Sequence, residues 1–298
     1  MNRSVWLTFG ALCLLSASAW IATPYDTSTL PSLESQGLLY AAIGLIALLI
    51  SRRQPWSRNQ IRSSAQLALA GLMFFGLPAA AIELASGSVP AISRSALFSM
   101  VPIVVILAIT SGEAREPGEA GARRLLPPTL VGVGGLLLLL PLDFSGTTRG
   151  TIILAVLCAA VIVSGISAVW LFRLLHNVTP SRAAALICLP TAAFLLACSR
   201  LNDPLVLDQT ALASLLSVSS LVGLIEILLL LRLVRAMPPI RFAARYLVIP
   251  LLTVLEGYII LRPPMTLRIA AGAILLIAGT ATLLLLNPSN EEAVLSLR

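Results

Sequence analysis

Apolar runs about 17–24 residues long recur along the whole chain, separated by short segments that hold most of its charge. A helix of that length crosses a hydrocarbon layer of about 30 Å. In lipid, every backbone N–H and C=O must find a partner within the chain. Only helices and closed barrels meet that condition. Barrel strands read as alternating segments of about ten residues, and no such alternation is present. The chain is therefore expected to be an all-α membrane protein. Composition agrees: 58% of the 298 residues are hydrophobic and 11% are charged, with a mean hydropathy of +0.96. A soluble domain is typically about 25% charged.

Ten spans are expected. The first five lie near Val5–Ala22, Gly37–Ile50, Ala65–Leu84, Ala91–Thr110 and Leu125–Leu142. The second five lie near Thr151–Leu171, Ala183–Ser199, Ala211–Leu231, Arg245–Leu261 and Arg268–Leu286. Arg3 followed by an apolar run and Ser16-Ala17-Ser18-Ala19 resembles a secretory signal with its cleavage site. With nine spans behind it, the segment reads as a retained anchor.

The net charge of +7 could suggest nucleic acid. All twenty basic residues are Arg, however, and they cluster between apolar runs rather than along one stripe. With both termini cytoplasmic, fifteen of them fall on the inner side and five (Arg94, Arg149, Arg200, Arg262 and Arg268) on the outer side. That is a positive-inside bias, and no nucleic-acid partner is expected. Cys13, Cys158, Cys188 and Cys198 sit in or beside apolar runs without CxxC or Cys/His ligand spacing. They read as small hydrophobes, and no metal or other cofactor is expected.

The two halves share a pattern. Pro90, Arg94 and Pro102 in the first correspond to Pro239, Arg241 with Arg245, and Pro250 in the second. Each apolar run then reaches a polar corner and a Gly-rich last span, with Gly132, Gly134 and Gly135 in one half and Gly272 and Gly279 in the other. Five spans per repeat, an odd number, would insert the two copies in opposite directions, an arrangement used by transporters with a midplane site. Residues 1–145 and 146–288 are the two repeats on this reading, and 289–298 are a cytoplasmic tail. Pro102 and Pro250 each lack an N–H and so permit a bend, which could help inward and outward opening alternate.

Pro102, Gly112-Glu113 and Gly132 with Gly135, then Pro250, Glu256-Gly257, Gly272 and Gly279, and Gly150 through Trp170-Leu-Phe-Arg173, resemble the EamA-like ten-helix proteins of the drug/metabolite transporter superfamily. Two departures stand out. Arg262-Pro263-Pro264 occupies the second-half corner where that family often has a glutamate, and the second span lacks the family's frequent Arg. The resemblance implies secondary transport, often outward, of a small metabolite or amino-acid-like solute.

Ionisable residues within apolar runs are the functional candidates, because each costs at least about 2.5 kcal/mol at a helix centre. Glu226 and Glu256 could face a central cavity and bind a cation or amine, or carry a coupling proton. The competing expectation pairs Glu226 with Arg245 as a structural contact. Glu83, near the outer end of the third span, and Arg94, opening the fourth, are weaker candidates for binding substrate or proton. Snorkelling suffices for Arg94. His176 is the only histidine and reads as a corner residue. Trp20 and Tyr25 read as interfacial belt residues.

No P-loop, HExxH or GxSxG motif is present, so neither direct ATP drive nor an intramembrane enzyme is expected. The function expected is secondary export of a small solute by alternating access in a bacterial inner membrane. The alternative is a non-transporting membrane partner or a lipid-handling protein. A homodimer remains open.

Overall fold

The computed structural model describes residues 3–22, 32–51, 60–111, 122–140, 147–176, 178–201, 217–262 and 266–285. Among them the structure is all-helical, with no strand. The elements of the first half are α1 (Arg3–Ala22), α2 (Ser32–Ser51), α3 (Gln60–Gly71), a π-helical turn (Leu72–Gly76), α4 (Leu77–Leu84), α5 (Ala91–Phe98), α6 (Val101–Thr110) and α7 (Leu126–Leu139). Those of the second half are α8 (Thr148–Leu175), α9 (Pro180–Arg200), α10 (Val218–Ala236), α11 (Pro239–Ala243), α12 (Arg245–Leu261) and α13 (Leu267–Leu285). Seven stretches of the described residues are long and apolar enough to cross a membrane: α2, α3 with α4, α5 with α6, α8, α9, α11 with α12, and α13. Large apolar side chains such as Leu7, Leu49, Ile152 and Ile259 point outward, as lipid-facing residues do.

Two helix pairs pack closest, and glycine sets both. In α2, a Cβ on Gly37 or Gly44 would lie 2.9 or 2.8 Å from the side chains of Leu196 and Leu189 of α9. In α7, a Cβ on Gly135 would lie 2.5 Å from Leu276 N of α13. One on Gly279 would lie 2.5 Å from Gly132 Cα. In each pair the numbering runs in opposite senses, so both pairs are antiparallel. Gly134, by contrast, faces open space. α1 lies between α10 and α12, and α8 packs against α6 and the α3–α4 span.

Prolines explain the interruptions. Pro78 has no N–H to give the Phe74 carbonyl, so the preceding turn widens and Leu77 N–H reaches back to Leu72 O. Pro102 likewise cannot bond to Phe98 O, and the fourth span breaks between α5 and α6. There Met100 N–H bonds to Leu97 O at 3.0 Å and Met100 O accepts from Ile103. The ninth span breaks in the same tight form at Ala244, between Arg241 O and Leu247 N–H. Pro250 lies six residues beyond that break, inside a continuous helix.

Several boundaries differ from expectation. The second span, expected to take in Ser35 and Gln36 at its end, extends further and begins at Ser32. The sixth is longer at both ends, starting on a Thr147 side-chain cap to Gly150 N–H. The eighth runs to Ala236 rather than Leu231, since Arg232 and Arg235 do not stop a helix. Glu226, five residues from the expected end, therefore sits ten residues from the observed one, about 15 Å along the axis and near the middle of α10. Glu113 with Gly112, Tyr25, Pro263-Pro264, residues 211–216 and the tail lie outside the described residues.

Candidate functional site

Serine 16, read from the sequence as part of a cleavage-like tract, turns inward from α1 and hydrogen-bonds Glu226. Two residues on, Ser18 Oγ donates to Glu256 Oε1 at 2.7 Å. Below it, Thr253 Oγ1 of α12 reaches Ala17 O at 3.4 Å. The small polar residues of α1 thus hold both candidate carboxylates, one on each neighbouring helix. Small side chains are what let α1 fit between α10 and α12.

The two glutamates differ in surroundings. Glu226 lines a cavity of about 550 Å³ between α2 and α10. Ser32, Ser35, Gln36 and Tyr40 of α2 line its opposite wall, and Ser219 and Gly223 lie beside Glu226 on α10. A carboxylate ringed by hydroxyls and an amide in a cleft of this size can hold an ammonium group or a hydrogen-bonding solute. Glu256 lines none of the three cavities described here; it belongs to the α1–α12 seam.

Arg245 does not pair with Glu226. Its buried guanidinium stands 3.8 Å from the ring centroid of Phe242, 4.3 Å from Tyr246 and 5.3 Å from Phe74. Arg245 Nη2 donates to the Tyr246 hydroxyl at 2.8 Å, while Nη1 has no hydrogen-bond partner among the described residues. A planar guanidinium can stack on aromatic faces at a depth where an ammonium would lose its water. The π turn supplies Phe74, and its neighbour Phe75 packs against Tyr40 with ring centroids 5.8 Å apart. The cluster therefore extends from Tyr246 through Arg245 and the π turn to Tyr40.

A second cavity, of about 350 Å³, lies beyond Tyr246. Pro78, Arg94, Ser95, Phe98, Tyr246 and Pro250 are among its lining residues. Arg94 Nη1 donates to Ile82 O at 2.8 Å, capping the last turn of α4. Other flanking arginines act alike: Arg268 Nε bonds Leu138 O at 2.7 Å, and Arg235 Nη1 bonds Val178 O at 2.7 Å. Glu83 accepts a hydrogen bond from Ser32, which ties the end of α4 to the start of α2 at the rim of the first cavity.

The structure thus brings Glu226 to one cavity and Arg94 with Pro250 to the other. It places Glu83 at a rim, Glu256 in a seam, and Pro102 at a helix break away from both cavities. His176 Nδ1 contacts Phe172 O at 2.9 Å within its own helix. Cys13 and Cys188 are buried, and all four cysteines are free thiols. Sequence reasoning missed Tyr40, Ser16, the Phe74–Phe75 pair and the caging of Arg245. The one available signal was Phe74-Phe75-Gly76-Leu77-Pro78, an aromatic pair set just before a mid-span proline.

No protein-family model matches the sequence, and no curated protein does. Solved structures do match. One, described only as "Crystal structure of protein", has a TM-score of 0.64 and 18% identity, covering 96% of this chain and 98% of its own. At that identity the likeness is one of fold over nearly the full length of both chains.

Proposed function

We propose that the protein is a secondary transporter of a small metabolite or amino-acid-like solute, working by alternating access. The observation that carries this reading is the polar cavity that runs from the first turns of α2 and α10 inward to Glu226, with Tyr40 and Gln36 on the opposite wall. A carboxylate held there by Ser16, with no cation beside it among the described residues, suits a site that meets a cation or amine of the solute. The Arg245–aromatic cluster fits between this cavity and the second one as a partition. Its rings would have to separate for a solute to pass.

On the same proposal the chain makes ten crossings as two inverted repeats of five, in the manner of the EamA-like proteins, with both termini on the cytoplasmic side of a bacterial inner membrane. Two features support it. The closest helix pairs, α2 with α9 and α7 with α13, join counterpart spans of the two halves, and each pair is antiparallel. The fourth and ninth spans, also counterparts, share the same tight break at Met100 and Ala244.

The test is a panel of amines, amino acids and neutral metabolites screened by thermal shift on purified protein, with each hit carried into proteoliposome flux. Glu226→Gln is expected to lower flux at least tenfold while the protein remains folded, because the neutral amide loses the charge but keeps the shape. Wild-type flux from Glu226→Gln, or no flux of any hit, would remove the transport reading of this cavity.

A further inference from the structure

Between α2 and α10, beside the polar cavity, runs a third space of about 710 Å³. α2 gives most of its packing to α9, and α10 to α1; α2 and α10 touch at Leu39 and Gly223, and the space lies beyond that contact, with α9 as its third wall. Ile43, Ile46 and Ile50 line one side, and Leu224, Leu228 and Leu231 the other, each set spaced at a helical turn. All but three of the lining residues are apolar. The three are Ser181, Arg232 and Arg235, and all lie at one end, where α2 and α10 finish and α9 begins.

That end is built for an anion. Arg232 and Arg235 are three residues apart, about 4.5 Å along one face of α10. Arg235 is fixed by its bond to the Val178 carbonyl, while Arg232 is exposed and has no hydrogen bond or ion pair among the described residues. Pro180 and Ser181 open the 21-residue helix α9, whose first N–H groups carry partial positive charge. Water would fill the apolar length poorly, and a soluble anion would use only the mouth. The occupant that matches both parts is an amphiphile with an anionic phosphodiester head.

We propose that this groove binds an anionic phospholipid, with one acyl chain along Ile43–Ile50 and Leu224–Leu231 and the phosphate on Arg232 and Arg235. The site is separate from the Glu226 cavity and does not depend on the protein being a transporter. A guanidinium meets a phosphate through two parallel N–H bonds, which an ammonium cannot reproduce.

The experiment uses the full chain in neutral detergent, titrated with dioleoyl phosphatidylglycerol, dioleoyl phosphatidylcholine or soluble glycerol phosphate, and read as apparent melting temperature. Phosphatidylglycerol is expected to raise it by about 4 °C more than phosphatidylcholine does, and glycerol phosphate to leave it unmoved. Arg232→Gln should remove most of the difference, and Ala184→Trp, which fills the groove, should remove it as well. Arg232 is exposed, so its variant stays interpretable even if Ala184→Trp fails to fold. Equal shifts by the two lipids, an undiminished difference in Arg232→Gln, or an equal shift by glycerol phosphate would each overturn the proposal.

Discussion

Arg245 shows how a buried charge can be kept without a countercharge among the described residues. Its guanidinium is covered by Phe242 and Tyr246 at stacking distance, with Phe74 alongside. A desolvated cation–π contact is worth about 2 kcal/mol, comparable with the cost of about 2.5–3.5 kcal/mol for an arginine at the helix centre. A lysine keeps the charge but has no flat face, and its ammonium binds water more strongly. Arg245→Lys is therefore expected to cost about 2 kcal/mol and to lower the apparent melting temperature by about 4–8 °C. Arg245→Met, which gives up the charge and packs against the same rings, should cost less. Thermal unfolding of the two variants in one detergent decides it: a lysine variant as stable as the parent would show that the rings do not hold the side chain. From the sequence, Arg245 was only a possible partner for Glu226. Its actual neighbours come from α3–α4, α11 and its own helix. The serines that hold Glu226 and Glu256 lie on α1, and the Ser18–Glu256 bond joins residues 238 apart in sequence. Small polar residues in a span look alike whether they face lipid, a neighbour or a cavity, and hydropathy alone does not separate them.

Helix ends and breaks were legible where a residue type dictates backbone chemistry. The apolar runs located the long apolar helices, and Pro102 lies at a real break. Pro250 did not, because its helix accommodates the lost bond and the break falls at Ala244, where no proline stands. The end of α10 was misjudged because Arg232 and Arg235 lower hydropathy without lowering helix propensity. The glycine seams were legible in part: Gly132, Gly135, Gly272 and Gly279 meet across α7 and α13, while Gly134 does not touch its neighbours. This difference yields a stability prediction. Gly279→Val puts a branched side chain where even a Cβ would sit 2.5 Å from Gly132 Cα. Overpacking of that kind costs about 1–3 kcal/mol, so the melting temperature should fall by about 4–8 °C. Gly134→Ala should leave it within about 1 °C or raise it slightly, since alanine favours the helix. Equal effects from the two substitutions would mean that α7 and α13 do not pack through this seam.

At the scale of the whole molecule, the count of crossings is the decisive quantity, since parity fixes where the ends lie. Seven crossings, the number of stretches of the described residues long and apolar enough by themselves, would leave the termini on opposite sides of the membrane. Ten would place them on the same side. The three additional crossings on the proposed reading are α1, α7 and α10: α7 has 14 described residues, α10 carries Glu226, Arg232 and Arg235, and α1 is an apolar helix of 20 residues. All three are held inside the bundle by specific contacts rather than by lipid alone: α7 by its glycine seam with α13, and α1 by Ser16 and Ser18 between α10 and α12. A span that packs against protein over much of its surface needs less apolar length and tolerates more polarity than one that faces lipid all round. Fusing a reporter that fluoresces only in the cytoplasm, and separately one active only outside it, to each terminus reads the parity directly. The expected result is cytoplasmic signal from both ends, in keeping with fifteen of the twenty arginines lying on that side of a ten-span arrangement. Termini reporting opposite sides would exclude ten crossings and, with them, two inverted repeats of five.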